Sequence, residues 1–103
     1  DEIFAVMYLD NHHRLIEFRR EFRGTIDSAH VHPRAIVRSA IELNAAAVIL
    51  THNHPSGTPD PSRADAALTT RIKDCLSMID VRVLDHVVVG GADTVSLAER
   101  GLV

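Results

Sequence analysis

Ala46-Ala47-Val48-Ile49-Leu50-Thr51-His52-Asn53-His54-Pro55-Ser56-Gly57 is the stretch that decides the fold. Its apolar half, Ala46 to Leu50, is continuous. After a helix, such a run predicts a central strand covered on both faces. It ends abruptly at Thr51 in a polar loop rich in proline and glycine, which runs to Pro61. On the upstream side, Pro33 suits the first turn of a helix. Ile36, Val37, Ala40, Ile41 and Leu43 follow at helical spacing, and Asn44 is able to close that helix. On the downstream side, Ser62 opens a second helix. Its apolar face is Leu68, Ile72, Cys75, Leu76 and Ile79, a set that places Cys75 in the core.

The outer segments complete a sheet. Residues 3–9 form a short apolar run compatible with a buried strand. Asp10-Asn11-His12-His13 holds good turn formers, and residues 14–22 partly alternate as a half-exposed second strand of a hairpin. Gly24 ends that strand or makes a bulge. Residues 25–32 read as a further short strand plus a connection. Residues 81–89 read as a strand, 90–93 as a turn, and 94–97 as a last strand. The order β-β-(β)-α-β-α-β-β predicts an α/β domain, one mixed sheet with helices packed on it.

Composition narrows the function classes. A chain of 103 residues is the size of one domain, and 46% apolar residues with 24% charged ones is ordinary for a globular fold. The single cysteine permits no internal disulfide, suits a reducing cytosol, and rules out a Cys-rich zinc ribbon. The formal net charge of −3 argues against a dedicated nucleic-acid binder. No run approaches the length of a membrane span, and the start, Asp1-Glu2-Ile3-Phe4, lacks the features of a signal peptide. Beginning inside a strand and without Met, the chain reads as a fragment of a longer protein. Seven histidines against one lysine is the compositional oddity.

Two of those histidines are organised. In an extended chain, residues two apart point to the same side, so His52 and His54 are able to converge on one ion. They follow a central strand at the end where α/β folds place ligand sites. The Pro/Gly loop folds the chain back, and Asp65 lies in the first turn of the next helix. Two histidines and a carboxylate make the three-ligand set of a catalytic zinc, with a fourth position for water. Ser62 and Asp65 also fit an N-cap and N3 pair, a role compatible with ligation. His30-Val31-His32 shares the spacing but lacks a carboxylate at a plausible position. His12 and His13 read as solvated turn residues. Arg14, Arg19, Arg20 and Arg23 read as a solvated face.

His52 to Asp65, HNHPSGTPDPSRAD, resembles the JAMM motif of MPN-type metallopeptidases: His-x-His, seven residues, Ser, two residues, Asp. With RGTIDSAHVHPR upstream and LDHVVVG downstream, the chain resembles the RadC-like branch over essentially its whole length. The resemblance implies an MPN (JAMM, cytidine-deaminase-like) fold as a single domain over residues 1–103. It implies zinc held by His52, His54 and Asp65, and a Ser62 that supports the oxyanion. It also implies a Glu general base at the start of an apolar strand. Glu2, heading Glu2-Ile3-Phe4-Ala5-Val6-Met7-Tyr8-Leu9, matches that pattern, and Glu21 is its rival. Asn53 stands where many JAMM enzymes have Ser or Thr, the RadC-like form. His86 is either a supporter that orients a ligand or a satisfied core histidine.

The function expected is zinc-dependent hydrolysis of a peptide or isopeptide bond in a protein or peptide substrate. The rival reading is a non-catalytic accessory module in DNA transactions, with a structural or vestigial metal and a DNA-binding N-terminal domain outside this segment. A metal-dependent nuclease is less well supported, because phosphodiester sites often use two metals and more carboxylates than cluster here.

Overall fold

A hairpin tied by one aspartate opens the fold. The computed structural model describes residues 1–25 and 31–103. β1 (Glu2–Leu9) pairs antiparallel with β2 (Leu15–Gly24). In the connecting turn, the Asp10 carboxylate accepts from the backbone N–H of His12 at 2.8 Å and of Arg14 at 2.9 Å. The Arg14 backbone, with His12 and the Arg14 guanidinium, holds that carboxyl down at about 2.

α1 (Pro33–Glu42) starts on its proline and ends as expected. Asn44 takes the left-handed conformation with φ 51, and Ala45 N–H donates to the Ala40 carbonyl at 2.9 Å. These contacts close the last turn and turn the chain into β3 (Ala47–Asn53). α2 (Arg63–Ser77), β4 (Arg82–Gly90) and β5 (Asp93–Ser96) follow. The five strands lie in the order β2-β1-β3-β4-β5. β3 is central, antiparallel to β1 and parallel to β4, with α2 as the crossover that a parallel pair requires. The result is the mixed α/β sheet that the pattern predicts.

The core sits between the sheet and both helices. Phe4, Val6, Tyr8, Val48 and Leu50 share one buried cluster with Ile36 and Ala40 of α1 and with Leu68, Ile72 and Leu76 of α2. The other face of β3 is not covered to the same degree, since Ile49 and Thr51 are half-buried there. The helices therefore lie on one face of the sheet, and the uniformly apolar run does not report a second helical layer.

Three sequence expectations need adjustment. β3 does not end at Leu50. It continues through Thr51, His52 and Asn53, because β1 and β4 flank it on both sides and satisfy its backbone whatever its side chains are. Cys75 is exposed rather than in the core. At about 100° per residue, the buried polar residues Asp65 and Thr69 turn the centre of the buried stripe toward Leu76, leaving Cys75 beyond its edge. The extra strand expected within 25–32 falls largely on residues 26–30, which lie outside the described residues.

Candidate metal centre

Strand parity and a helix cap assemble the site. His52 lies on the helix-facing side of β3, only 3% exposed. The Phe4 ring stacks on it with centroids 5.8 Å apart and meets His86 edge-on at 5.5 Å. His54 follows directly after β3, where its backbone N–H donates to the Val89 carbonyl at 2.8 Å. Its Nδ1 lies 2.9 Å from the Thr58 carbonyl oxygen. A close approach by Gly90 makes that contact possible. A Cβ there would fall 2.4 Å from Pro59 N and 2.6 Å from the Thr58 carbonyl carbon.

The third group comes from the start of α2. Ser62 is the N-cap and accepts from the Asp65 N–H at 3.0 Å, while the Ser62 N–H donates to Asp65 Oδ2 at 2.8 Å. This reciprocal cap holds the Asp65 side chain back toward the histidines. Asp65 Oδ1 lies 3.2 Å from His52 Nε2, and Oδ2 lies 3.1 Å from His54 Nε2. The two Nε2 atoms are 3.1 Å apart. One ligand atom from each of the three residues thus falls within 4.8 Å of the others.

Proton positions test whether this set fits a metal. A carbonyl oxygen only accepts, so His54 Nδ1 must donate to Thr58, which leaves Nε2 as the ring nitrogen directed at the site. Nε2 faces an Asp65 oxygen, and a cation between the two would meet both as donor atoms. Two imidazole nitrogens and a carboxylate are the donor set of a three-ligand zinc site. Burial pushes the Asp65 carboxyl up, but the His52 imidazole and the Ser62 groups outweigh it. Asp65 is held well below the usual carboxylate range and is ionised at neutral pH. Burial, reinforced by His52, pushes His86 down to about 3.

The other candidates are placed as follows. His86 is fully buried, with its Nε2 2.7 Å from His52 Nδ1. Glu2 lies on β1, beside β3, and shares a sheet face with Phe4 by alternation. Phe4 pairs with His52, and the same register continued two steps sets Glu2 across from His54. Glu21 sits on β2, with β1 between it and β3, and its carboxylate accepts from Ser39 Oγ of α1 at 3.1 Å. The structure therefore puts Glu2, not Glu21, on the strand next to the histidines. The Ser62 hydroxyl accepts from Asp65 N–H, which leaves its own proton to donate. His12 and His13 are exposed in the hairpin turn, and His30 lies outside the described residues. His32 packs edge-on against Phe22 at 6.2 Å. Arg14, Arg19 and Arg23 pair with Asp10, Glu17 and Asp1.

Two contributors are invisible to motif spacing. Asn53 Oδ1 accepts from the Ile3 N–H at 2.7 Å, and its Nδ2 donates to the Asp1 carbonyl at 3.0 Å. One side chain between the two histidines thus holds the backbone on both sides of Glu2. Thr69 is fully buried against His86, its Oγ1 2.6 Å from His86 Nδ1. A polar residue one helical turn after Asp65, on the buried stripe of α2, is the one sequence signal for it.

Relatives extend this picture. Residues 1–102 match the family model described as a RadC-like JAB domain. A UPF0758 protein of Vibrio cholerae is 63% identical over 100 residues, covering 97% of this chain and 63% of the relative. UPF0758 proteins of Marinobacter nauticus and Thioalkalivibrio sulfidiphilus are 59% and 61% identical over 101 residues. Each comparison covers 98% of this chain and 45% of the relative. The chain therefore spans roughly half the length of these curated relatives. No helix among the described residues is long and apolar enough to cross a membrane. With the family model matched across nearly its whole length, and with the His-x-His and Ser-x-x-Asp groups meeting at the end of the central strand, the chain belongs to the RadC-like JAB domain family.

Proposed function

We propose that this domain is a zinc-dependent hydrolase of peptide or isopeptide bonds. The observation that carries the reading is the convergence of His52 Nε2, His54 Nε2 and the Asp65 carboxylate, with the Nδ1 proton of His54 committed to Thr58. These three residues would hold the ion. Zinc, when bound, supplies a Lewis acid that lowers the pKa of a coordinated water to about 7. Glu2, on the strand flanking His52, would accept a proton from water on its carboxylate and pass it to the leaving amine. The Ser62 hydroxyl donates to the developing oxyanion of the substrate carbonyl. Asp65, ionised and capped by Ser62, offsets the charge of the cation. A protein or peptide is the substrate class, and the longer parent protein supplies any contact with DNA. The cytosol, where a lone cysteine stays reduced, is the compartment we assign.

Elemental analysis of purified, dialysed protein tests the metal. We expect one zinc per chain, lost on His52→Ala. No stoichiometric zinc, and none regained on adding zinc, defeats the proposal. Glu2→Ala separates the enzyme from the accessory module. Zinc retained with hydrolysis abolished supports catalysis, whereas an unchanged cellular phenotype supports a module whose metal is structural.

A further inference from the structure

A chain of hydrogen bonds runs from the backbone of Asp65 to His52, whose far side meets the Asp65 side chain. The Thr69 hydroxyl lies 2.8 Å from the Asp65 carbonyl oxygen. It also lies 2.6 Å from His86 Nδ1, and His86 Nε2 lies 2.7 Å from His52 Nδ1. His52 Nε2 then lies 3.2 Å from Asp65 Oδ1. Thr69 and His86 are fully buried and His52 nearly so.

The direction of each bond follows from counting protons. The Asp65 carbonyl only accepts, so the one Thr69 hydroxyl proton goes to it. Thr69 Oγ1 is then an acceptor toward His86, and His86 Nδ1 carries a proton. Neither ring nitrogen of His86 meets a carboxylate, and a fully buried imidazole without one is neutral. Its Nε2 therefore has a lone pair, which accepts from His52 Nδ1–H. His52 Nδ1 thus carries a proton, and Nε2, the atom that faces Asp65 and His54, is the ring nitrogen left for a cation. If the relay ran in the opposite direction, His52 Nε2 would carry a proton and could not ligate.

We propose that Thr69 is a positioning residue that, through His86, holds the proton of His52 on Nδ1 and so leaves Nε2 as the atom that binds a zinc ion. This deepens the zinc reading above and rests on it for the ion, though not for the tautomer. The relay also joins two ligands. The helix turn that carries Asp65 orients the imidazole of His52, so the two groups hold their places together. Partners that orient a ligating histidine in this way typically govern metal affinity about tenfold to a hundredfold.

Nitrogen-15 NMR of the imidazole side chains, on metal-free protein at about pH 8 where model histidine is neutral, reads the tautomer directly. We expect His52 and His86 both protonated on Nδ1, with His86 bare on Nε2. A wild-type His52 bare on Nδ1 overturns the proposal, whether or not zinc binds. Thr69→Val keeps the shape but removes the hydroxyl, and Thr69→Ser keeps the hydroxyl. Competition with a chromophoric zinc chelator should show Thr69→Val weaker by about tenfold to a hundredfold, with Thr69→Ser near wild type. Equal zinc affinity for the folded valine variant and wild type overturns the role. If the valine variant fails to fold, the serine variant and the wild-type tautomers still decide the matter. Wild-type protein that binds no zinc yet shows the expected tautomers defeats the zinc reading and leaves the relay standing.

Discussion

Acidifying the metal-free protein from pH 7 to pH 5 should destabilise it through His86. Burial lowers this imidazole from its ordinary 6.5 to about 3 in the folded state. The unfolded chain binds a proton near pH 6.5 and the folded one does not, so the unfolded state holds more protons throughout this window. Stability therefore falls as pH falls, and the loss continues down to the folded value, where it levels off. Each pH unit below the unfolded value is worth about 1.4 kcal/mol. Between pH 7 and pH 5 the sum is about 2 kcal/mol, against a total stability of roughly 5–15 kcal/mol for a domain of this size. Asp65 and Asp10, both held below the ordinary carboxylate range, keep their charge in both states over this window. Their stabilising contributions are lost only at lower pH. Urea unfolding at the two pH values, with chelator present, measures the difference as a shift in midpoint at constant slope. The control is His86→Leu, which has no proton to gain. If this variant loses as much stability as wild type over the same window, the reasoning is refuted.

Phe4→Ala should cost about 3–5 kcal/mol, because its ring is fully buried and packs on both His52 and His86. Urea titration checks the figure, and a loss below about 1 kcal/mol would contradict the burial. Gly90→Ala should push back the Thr58–Pro59 backbone, which stands within 2.8 Å of the new Cβ position, and loosen the carbonyl that orients His54. Zinc affinity is the readout, and wild-type binding would show that the loop yields without moving Thr58. Asn53→Ala should free the backbone around Glu2, seen as faster hydrogen exchange at the Ile3 amide with zinc affinity unchanged. Unaltered exchange at Ile3 would count against the clamp.

Much of the site is legible because its geometry is local. His52 and His54 face one ion because β3 has a period of two, and the Ser62–Asp65 spacing is both a cap and a pair of site groups. The family resemblance and the mixed sheet follow from such short-range patterns. What stays hidden depends on partners distant in the chain. Thr51 to Asn53 look like loop, since their polarity carries no sign of the strands on either side. Asn53 reaches Ile3, 50 residues away, and Thr69 meets His86, 17 residues away. Neither pairing leaves a trace in spacing. The apolar spacing of α2 points Cys75 to the core, but the polar residues of the site share the buried side of the helix and shift that stripe.

The two halves of the candidate centre differ in the length of chain that must close to build them. His54 and Asp65 are separated by 11 residues within one strand–loop–helix unit, whereas the clamp that holds Glu2 joins residues 50 apart. Closing the longer loop costs about 1 kcal/mol more in chain entropy, and it requires the β1–β3 ladder to form. The ion-holding groups are thus able to gather in a nascent βα unit before the proposed base arrives. A chain stalled at that point would have its metal-holding groups without the proposed proton acceptor, so full hydrolytic competence would wait on the long-range pairing.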